Sequence, residues 1–267
     1  MKLAVQSRLV PGSSLREKSE TAMRHGFDGI ELSHFPMIEA AEEALRDRVP
    51  VSAMCSGHRG WFIDPDPAEI AACKEDVKRL LELGAELGAP LIIVPIYGRT
   101  ANLPPHAGTG RTRELDEELW LEGLHEVTEH ADRVGGRLVI EAINRFENSV
   151  SVKLADAVRW AREAASPQVR AMGDVFHMNI EEVDFGAAFE AAGEMLAYVH
   201  LADSQRLEPG KGHLDWASVF GGLTRMGYEG WASMECNLSG PPDEVLPAAV
   251  TFLRERIAEA RGNGVAA

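Results

Sequence analysis

One feature restricts the fold more than any other: a short apolar run followed by an amphipathic stretch, repeated eight times along the chain. The apolar runs are Lys2–Gln6, Gly29–Leu32, Val51–Ser56, Pro90–Ile96, Arg137–Ile143, Val169–Val175, Leu196–Ala202 and Gly230–Glu235. Most are apolar on both faces, as parallel strands covered by helices must be. The helical patterns between them span Ser14–His25, Met37–Arg48, Pro67–Leu87, Thr112–Val134, Val152–Ala165, Phe185–Met195, Trp216–Met226 and Asp243–Arg261. Gly26, Gly135 and Gly227 each follow a last periodic residue, where helices commonly stop. Asp66-Pro67 and Asp215-Trp216 read as helix starts. Eight such units in 267 residues predict an α/β fold, a (β/α)8 TIM barrel forming a single domain over 1–267. A doubly wound sheet also alternates, but it brings a glycine-rich phosphate turn, and neither GxGxxG nor GxxxxGK[ST] occurs.

In such a barrel the chemistry sits at the C-terminal mouths of the strands. Strands five to eight each end on a residue able to bind a cation: Glu141 in LVIEAINRFEN, Asp174 in AMGDVFHMN, His200 in AYVHLADSQR and Glu235 in WASMECN. Singly, each also reads as a helix cap, an ion-pair partner or a hydrogen-bonded core residue. Together, three carboxylates at one mouth repel strongly unless a cation or a proton lies among them. Three carboxylates and one imidazole suit Mn²⁺, Mg²⁺ or Co²⁺. Structural zinc prefers Cys and His, and Cys55, Cys73 and Cys236 lie elsewhere.

Above these four, His177, Arg206 and Glu147 stand on the loops leaving their strands, at the level a substrate would occupy. The plainer alternative for each is a loop salt bridge, such as Arg145 with Glu147. The segment SGHRGWFID after strand three offers Trp61 or Phe62 as an apolar wall and His58 as a polar contact, with loop packing the alternative. The longest loop, 97–111, reads as a surface excursion, a lid or a subunit contact.

The formal charge of −15 opposes a nucleic-acid partner, whose phosphates call for clustered Lys and Arg. The apolar run Pro90–Ile96 is far too short to span a membrane, so no membrane partner is expected. Only three apolar residues separate Lys2 from Gln6, too few for a signal-peptide core. With three scattered cysteines, a cytoplasmic protein is expected.

In order along 137–237, LVIEAINRFEN, GDVFHMNIEE, YVHLADSQR with PGKGHLDW, and GYEGWASMEC resemble the sugar isomerase/epimerase superfamily with a xylose-isomerase-like barrel. Within it the likeness is to the ketose 3-epimerases of the D-tagatose and D-allulose type. The N-terminal half is similar only generically, through GFDGIEL and the alternation.

The resemblance implies a divalent metal, manganese first and cobalt or magnesium next, held by Glu141, Asp174, His200 and Glu235. It implies sugar contacts from Glu147, His177 and Arg206, and an acid–base pair in Glu141 and Glu235 that inverts C3 of a free ketose through a metal-stabilised enediolate. It also implies a homo-oligomer, dimer or tetramer. The alternative is an isomerase or lyase of the same superfamily acting on hydroxypyruvate, a keto-inositol or a 3-keto-glycoside; NRFE after the first glutamate favours the epimerases. The sequence departs from the epimerase pattern at Ala142 and Val175, neither of them a metal donor. A multi-zinc nuclease on the same barrel would need more histidines and a basic face. A non-catalytic binding barrel has no physical reason to keep three buried carboxylates.

Overall fold

The structure, a computed structural model, describes residues 1–97 and 109–264. Its eight parallel strands are β1 (Lys2–Gln6), β2 (Gly29–Leu32), β3 (Val51–Cys55), β4 (Leu91–Ile93), β5 (Leu138–Ala142), β6 (Val169–Asp174), β7 (Leu196–Leu201) and β8 (Trp231–Met234). They pair in sequence order, and β8 returns to β1 to close the barrel.

Among the described residues nine helices surround it: α1 (Leu15–Arg24), α2 (Met37–Asp47), α3 (Pro67–Leu87), α4 (Arg113–Val134), α5 (Leu154–Glu163), α6 (Val175–Glu181), α7 (Phe185–Ala192), α8 (Trp216–Arg225) and α9 (Pro242–Gly264). Their ends follow local chemistry. Asp66 accepts from the Ala68 amide at the start of α3, and Thr112 from Leu115 at the start of α4. Gly135 takes φ 72° past the end of α4, a conformation that costs glycine little. None of these helices is long and apolar enough to cross a membrane.

Two apolar layers result. A large one, with Trp120, Trp160, Phe62, Phe189 and Phe220, seals helices against strands. A small one, of Ala53, Ile92, Val139, Met172 and Tyr198, plugs the barrel axis. The axis is therefore a packed core, and cavity space lies at its ends.

Most elements shift by a residue or a few at their ends, and three departures from the sequence expectation bear on the site. β4 spans only Leu91–Ile93, paired to Leu138, Val139 and Ile140, because Pro95 has no N–H for a ladder. β8 stops at Met234, so Glu235 stands one residue beyond its strand. A short helix, α6, occupies what reads as the loop after strand six: Asp174 Oδ1 accepts from the amides of Phe176 (2.7 Å) and His177 (3.2 Å) and starts it. Of the long loop, 98–108 lie outside the described residues. Thr109 and Arg111 at its far end bind Asp116 of α4, at 2.9 and 2.8 Å.

Candidate metal centre and active site

Parallel register determines which side chains meet. Asp174 lies beside His200 across β6 and β7, Glu141 is the penultimate residue of β5, two strands from His200, and the Glu235 amide bonds the Leu201 carbonyl. One donor atom from each of Glu141, Asp174, His200 and Glu235 therefore falls within 4.8 Å of the others. His200 Nδ1 is 3.3 Å from Glu141 Oε1, 3.8 Å from Asp174 Oδ2 and 3.1 Å from Glu235 Oε2. His200 and Asp174 are fully buried.

Two observations fit this set to a cation. Asp174 Oδ2 is buried with no hydrogen-bond partner, although its Oδ1 has two. An orphaned carboxylate oxygen facing two other carboxylates is unfavourable without positive charge among them. Second, Glu31 Oε2 lies 3.0 Å from His200 Nε2. A proton held on Nε2 leaves Nδ1 with its lone pair toward the three acids, as a metal-binding imidazole needs. Without a cation, burial raises both the Glu141 carboxyl and, to about 6, that of Asp174. Burial opposes charge on His200 as well, but Glu31 and Glu235 outweigh it and hold the imidazole well above its usual range. Burial also acts to raise Glu235, yet His200 and Arg206 carry it well below the carboxylate range.

Over the cluster lies a cavity of about 410 Å³. Glu141 of β5 and Glu235, just past β8, both line it, together with Arg206, His177, Trp61, Tyr97 and Arg8. Arg206 Nη2 is 3.1 Å from Glu235 Oε2, and its guanidinium lies 4.7 Å from the Phe176 ring centre. His177 Nδ1 faces the backbone amide of Asn144 at 3.2 Å, so it accepts and the ring proton sits on Nε2. Burial pushes the His177 pKa down to about 4, which keeps the ring neutral. Arg206 Nη1 is 3.1 Å from that Nε2. Two donors thus converge on one point, where a substrate oxygen would satisfy both.

Glu147 stands one step back, accepting at 2.9 Å from the Asn144 amide that also reaches His177 at 2.7 Å. The anticipated Arg145–Glu147 ion pair is replaced by another: Arg145 forks onto Glu181 at 2.9 and 2.7 Å. Trp61 reaches the cavity, whereas Phe62 is buried against Trp120 and His58 hydrogen-bonds to loop carbonyls.

Sequence reasoning missed Gln6 and Glu31. The buried Gln6 amide donates to both Glu31 and Glu235, at 2.8 Å each. The signal was present: Gln6 ends the run LAVQ and Glu31 interrupts GIEL, the same polar strand tip that singled out strands five to eight.

A family profile described as xylose isomerase-like TIM barrel matches residues 20–256. The chain is 31% identical over 241 residues to 3-dehydro-D-guloside 4-epimerase of Escherichia coli K12, covering 88% of this chain and 92% of that protein. It is 35% identical over 268 residues to L-ribulose 3-epimerase of Mesorhizobium japonicum, covering 95% and 87%. The apo crystal structure of E. coli 3-keto-D-glucoside 4-epimerase superposes with a TM-score of 0.87 at 28% identity, over 96% of this chain and 99% of that one. Barrel closure, strand order and these likenesses agree: the chain belongs to the xylose isomerase-like TIM barrel family, and the relatives beside it there are sugar epimerases.

Proposed function

We propose that the chain is a divalent-metal-dependent epimerase that inverts C3 of a free ketose, with Glu141 and Glu235 as the acid–base pair. The observation that carries this reading is the convergence of four donors within 4.8 Å, one of them a buried carboxylate oxygen with no partner. A cation held by Glu141, Asp174, His200 and Glu235 would stabilise the enediolate left when a proton departs from the carbon beside the sugar's carbonyl. Manganese is proposed first, with cobalt and magnesium next, because the donors are mostly oxygen.

The remaining work belongs to the chain's own groups. One glutamate removes the proton and the other delivers a proton to the opposite face, which inverts the carbon. His177 Nε2–H and the Arg206 guanidinium hold a substrate oxygen between them, and Glu147 fixes His177 through Asn144. Trp61 and Tyr97 shield the reacting carbon from water. A homo-oligomer belongs to the same reading through the family resemblance, and a cytoplasmic location through the three scattered cysteines, which suit a reducing compartment.

A second reading shifts the reaction by one carbon, to C4 of a 3-keto-glycoside. It is favoured by the near full-length likeness to 3-dehydro-D-guloside 4-epimerase. The same groups serve, since C4–H is then the bond beside the ketone. NMR product analysis in D₂O, with Mn²⁺ and a panel of free ketoses and 3-keto-glycosides, tests both. Deuterium at an inverted C3 or C4 is expected. A metal-loaded protein that inverts neither carbon would refute the epimerase reading.

A further inference from the structure

Two hollows meet at Cys55 and Trp61. One is the cavity over the four donors. The other, about 450 Å³, opens beside it between Ser33, His34 and Phe35 on one side and Gly57 and Gly60 on the other. The first falls in the size range for a small ligand, so it has room for a monosaccharide without drawing on the second.

The second hollow has a defined chemistry. In a chain of formal charge −15, no carboxylate, lysine or arginine among the described residues lines it. Its rim carries the Phe35 side chain, 73% exposed, and Trp61 continues as an aromatic line to His58 (5.3 Å between ring centres) and Tyr97 (6.1 Å). His34 is anchored through Nε2 to Ser7 Oγ at 2.9 Å, and its Nδ1 has no hydrogen-bond partner among the described residues. Exposed aromatic faces, neutral hydrogen-bonding groups and no formal charge suit a pyranose, whose C–H face stacks on a ring while its hydroxyl rim meets polar atoms.

We propose that this hollow is a second saccharide subsite, which takes the aglycone sugar ring of a glycoside whose keto-sugar occupies the cavity over Glu141 and Glu235. The proposal rests on the C4 reading above and specifies its substrate: a disaccharide-like glycoside in preference to a free keto-sugar. Cys55 and Trp61, common to both hollows, would lie under the glycosidic linkage.

The test is steady-state kinetics of the full, Mn²⁺-loaded chain on 3-keto-glucose and on a 3-keto-glucoside with a second glucose as aglycone. Wild type, Phe35→Ala and Phe35→Leu are compared; Phe35 is exposed and stands outside the proposed catalytic groups. The disaccharide should have a KM roughly tenfold lower in wild type, in line with one good aromatic contact. Phe35→Ala should remove that advantage and Phe35→Leu part of it, with the constants for 3-keto-glucose unchanged. Equal KM values in wild type, or an equal loss on both substrates in Phe35→Ala, overturn the subsite.

If neither substrate turns over, the C4 reading has failed, and saturation-transfer NMR with cellobiose decides the subsite alone. Transfer to the sugar that weakens in Phe35→Ala supports it; no transfer overturns it. Gel filtration completes the test: a dimer that Phe35→Ala dissociates would show the ring covered by a second copy, and would also overturn the proposal.

Discussion

The carboxylate of Glu31 lies 3.0 Å from His200 Nε2, on the side of the ring turned away from Glu141, Asp174 and Glu235. Carboxylates behind metal-binding imidazoles set ring orientation and basicity, and losing one typically costs 10–100-fold in metal affinity. Glu31→Gln keeps an acceptor but not the charge. It should weaken Mn²⁺ affinity by roughly that factor, read by chelator competition, and an unchanged affinity would remove Glu31 from the site's design.

Glu235→Gln and Glu141→Gln each remove one of the two groups proposed to move protons. Each should lower turnover by roughly 10²–10⁴-fold and weaken metal binding as well. Activity assayed at saturating Mn²⁺ separates the two effects. Full activity in either variant would defeat the two-glutamate mechanism.

Arg206 and His177, 3.1 Å apart, are proposed to hold one substrate oxygen, so Arg206→Ala should act mainly on substrate handling. Loss of a charge-assisted hydrogen bond predicts roughly a 10–100-fold fall in kcat/KM, mostly through KM, with metal affinity nearly intact. A variant that binds substrate normally but no longer holds metal would reverse this assignment.

Acid should loosen the proposed cation. Burial raises the Asp174 carboxyl from 3.8 to about 6 in the metal-free fold. A carboxyl raised on folding supports the fold fully below 3.8 and loses that support as pH climbs through about 6. A cation needs the deprotonated form, so its stabilising effect should grow over the same interval. Thermal melts with and without Mn²⁺ at about pH 5 and about pH 7.5 should show a larger Tm gain at the higher pH. A gain independent of pH would argue that Asp174 does not bind it.

Asp203 tests the loop that carries Arg206. Its buried carboxylate accepts from the amides of Ser204, Gly210 and Leu214 and from the Trp216 indole. Asp203→Ala strands several buried donors and should cost at least about 3 kcal/mol. Denaturant unfolding measures this, and a loss under 1 kcal/mol, set against that estimate, would mean that water takes over the carboxylate's bonds.

The sequence exposed much of this site because parallel strands in a barrel end where chemistry happens. Glu141, Asp174, His200 and Glu235 each close an apolar run, and that alone brought them into consideration. Gln6 and Glu31 obey the same rule but offer no obvious ligand partner until the barrel closes β8 onto β1 and brings Gln6 to Glu235. Helix α6 was hidden for another reason: the residue that looked like a metal donor is also its cap, and a sequence does not show one carboxylate working in two directions. The Arg145–Glu181 pair joins residues 36 positions apart, so proximity along the chain pointed to Glu147 instead.

The proposed acids occupy the staves from β5 to β8, while Arg8, Phe35 and Trp61 come from the connections after β1, β2 and β3. That separation leaves the two halves of the barrel free to change at different speeds. On the proposed function, a substitution at exposed Phe35 can retune which sugar is admitted while leaving the proposed proton-moving groups in place, whereas a change at Asp174 unsettles a helix start and a charge cluster together. Descendants of this scaffold should therefore diversify in diet long before they diversify in chemistry.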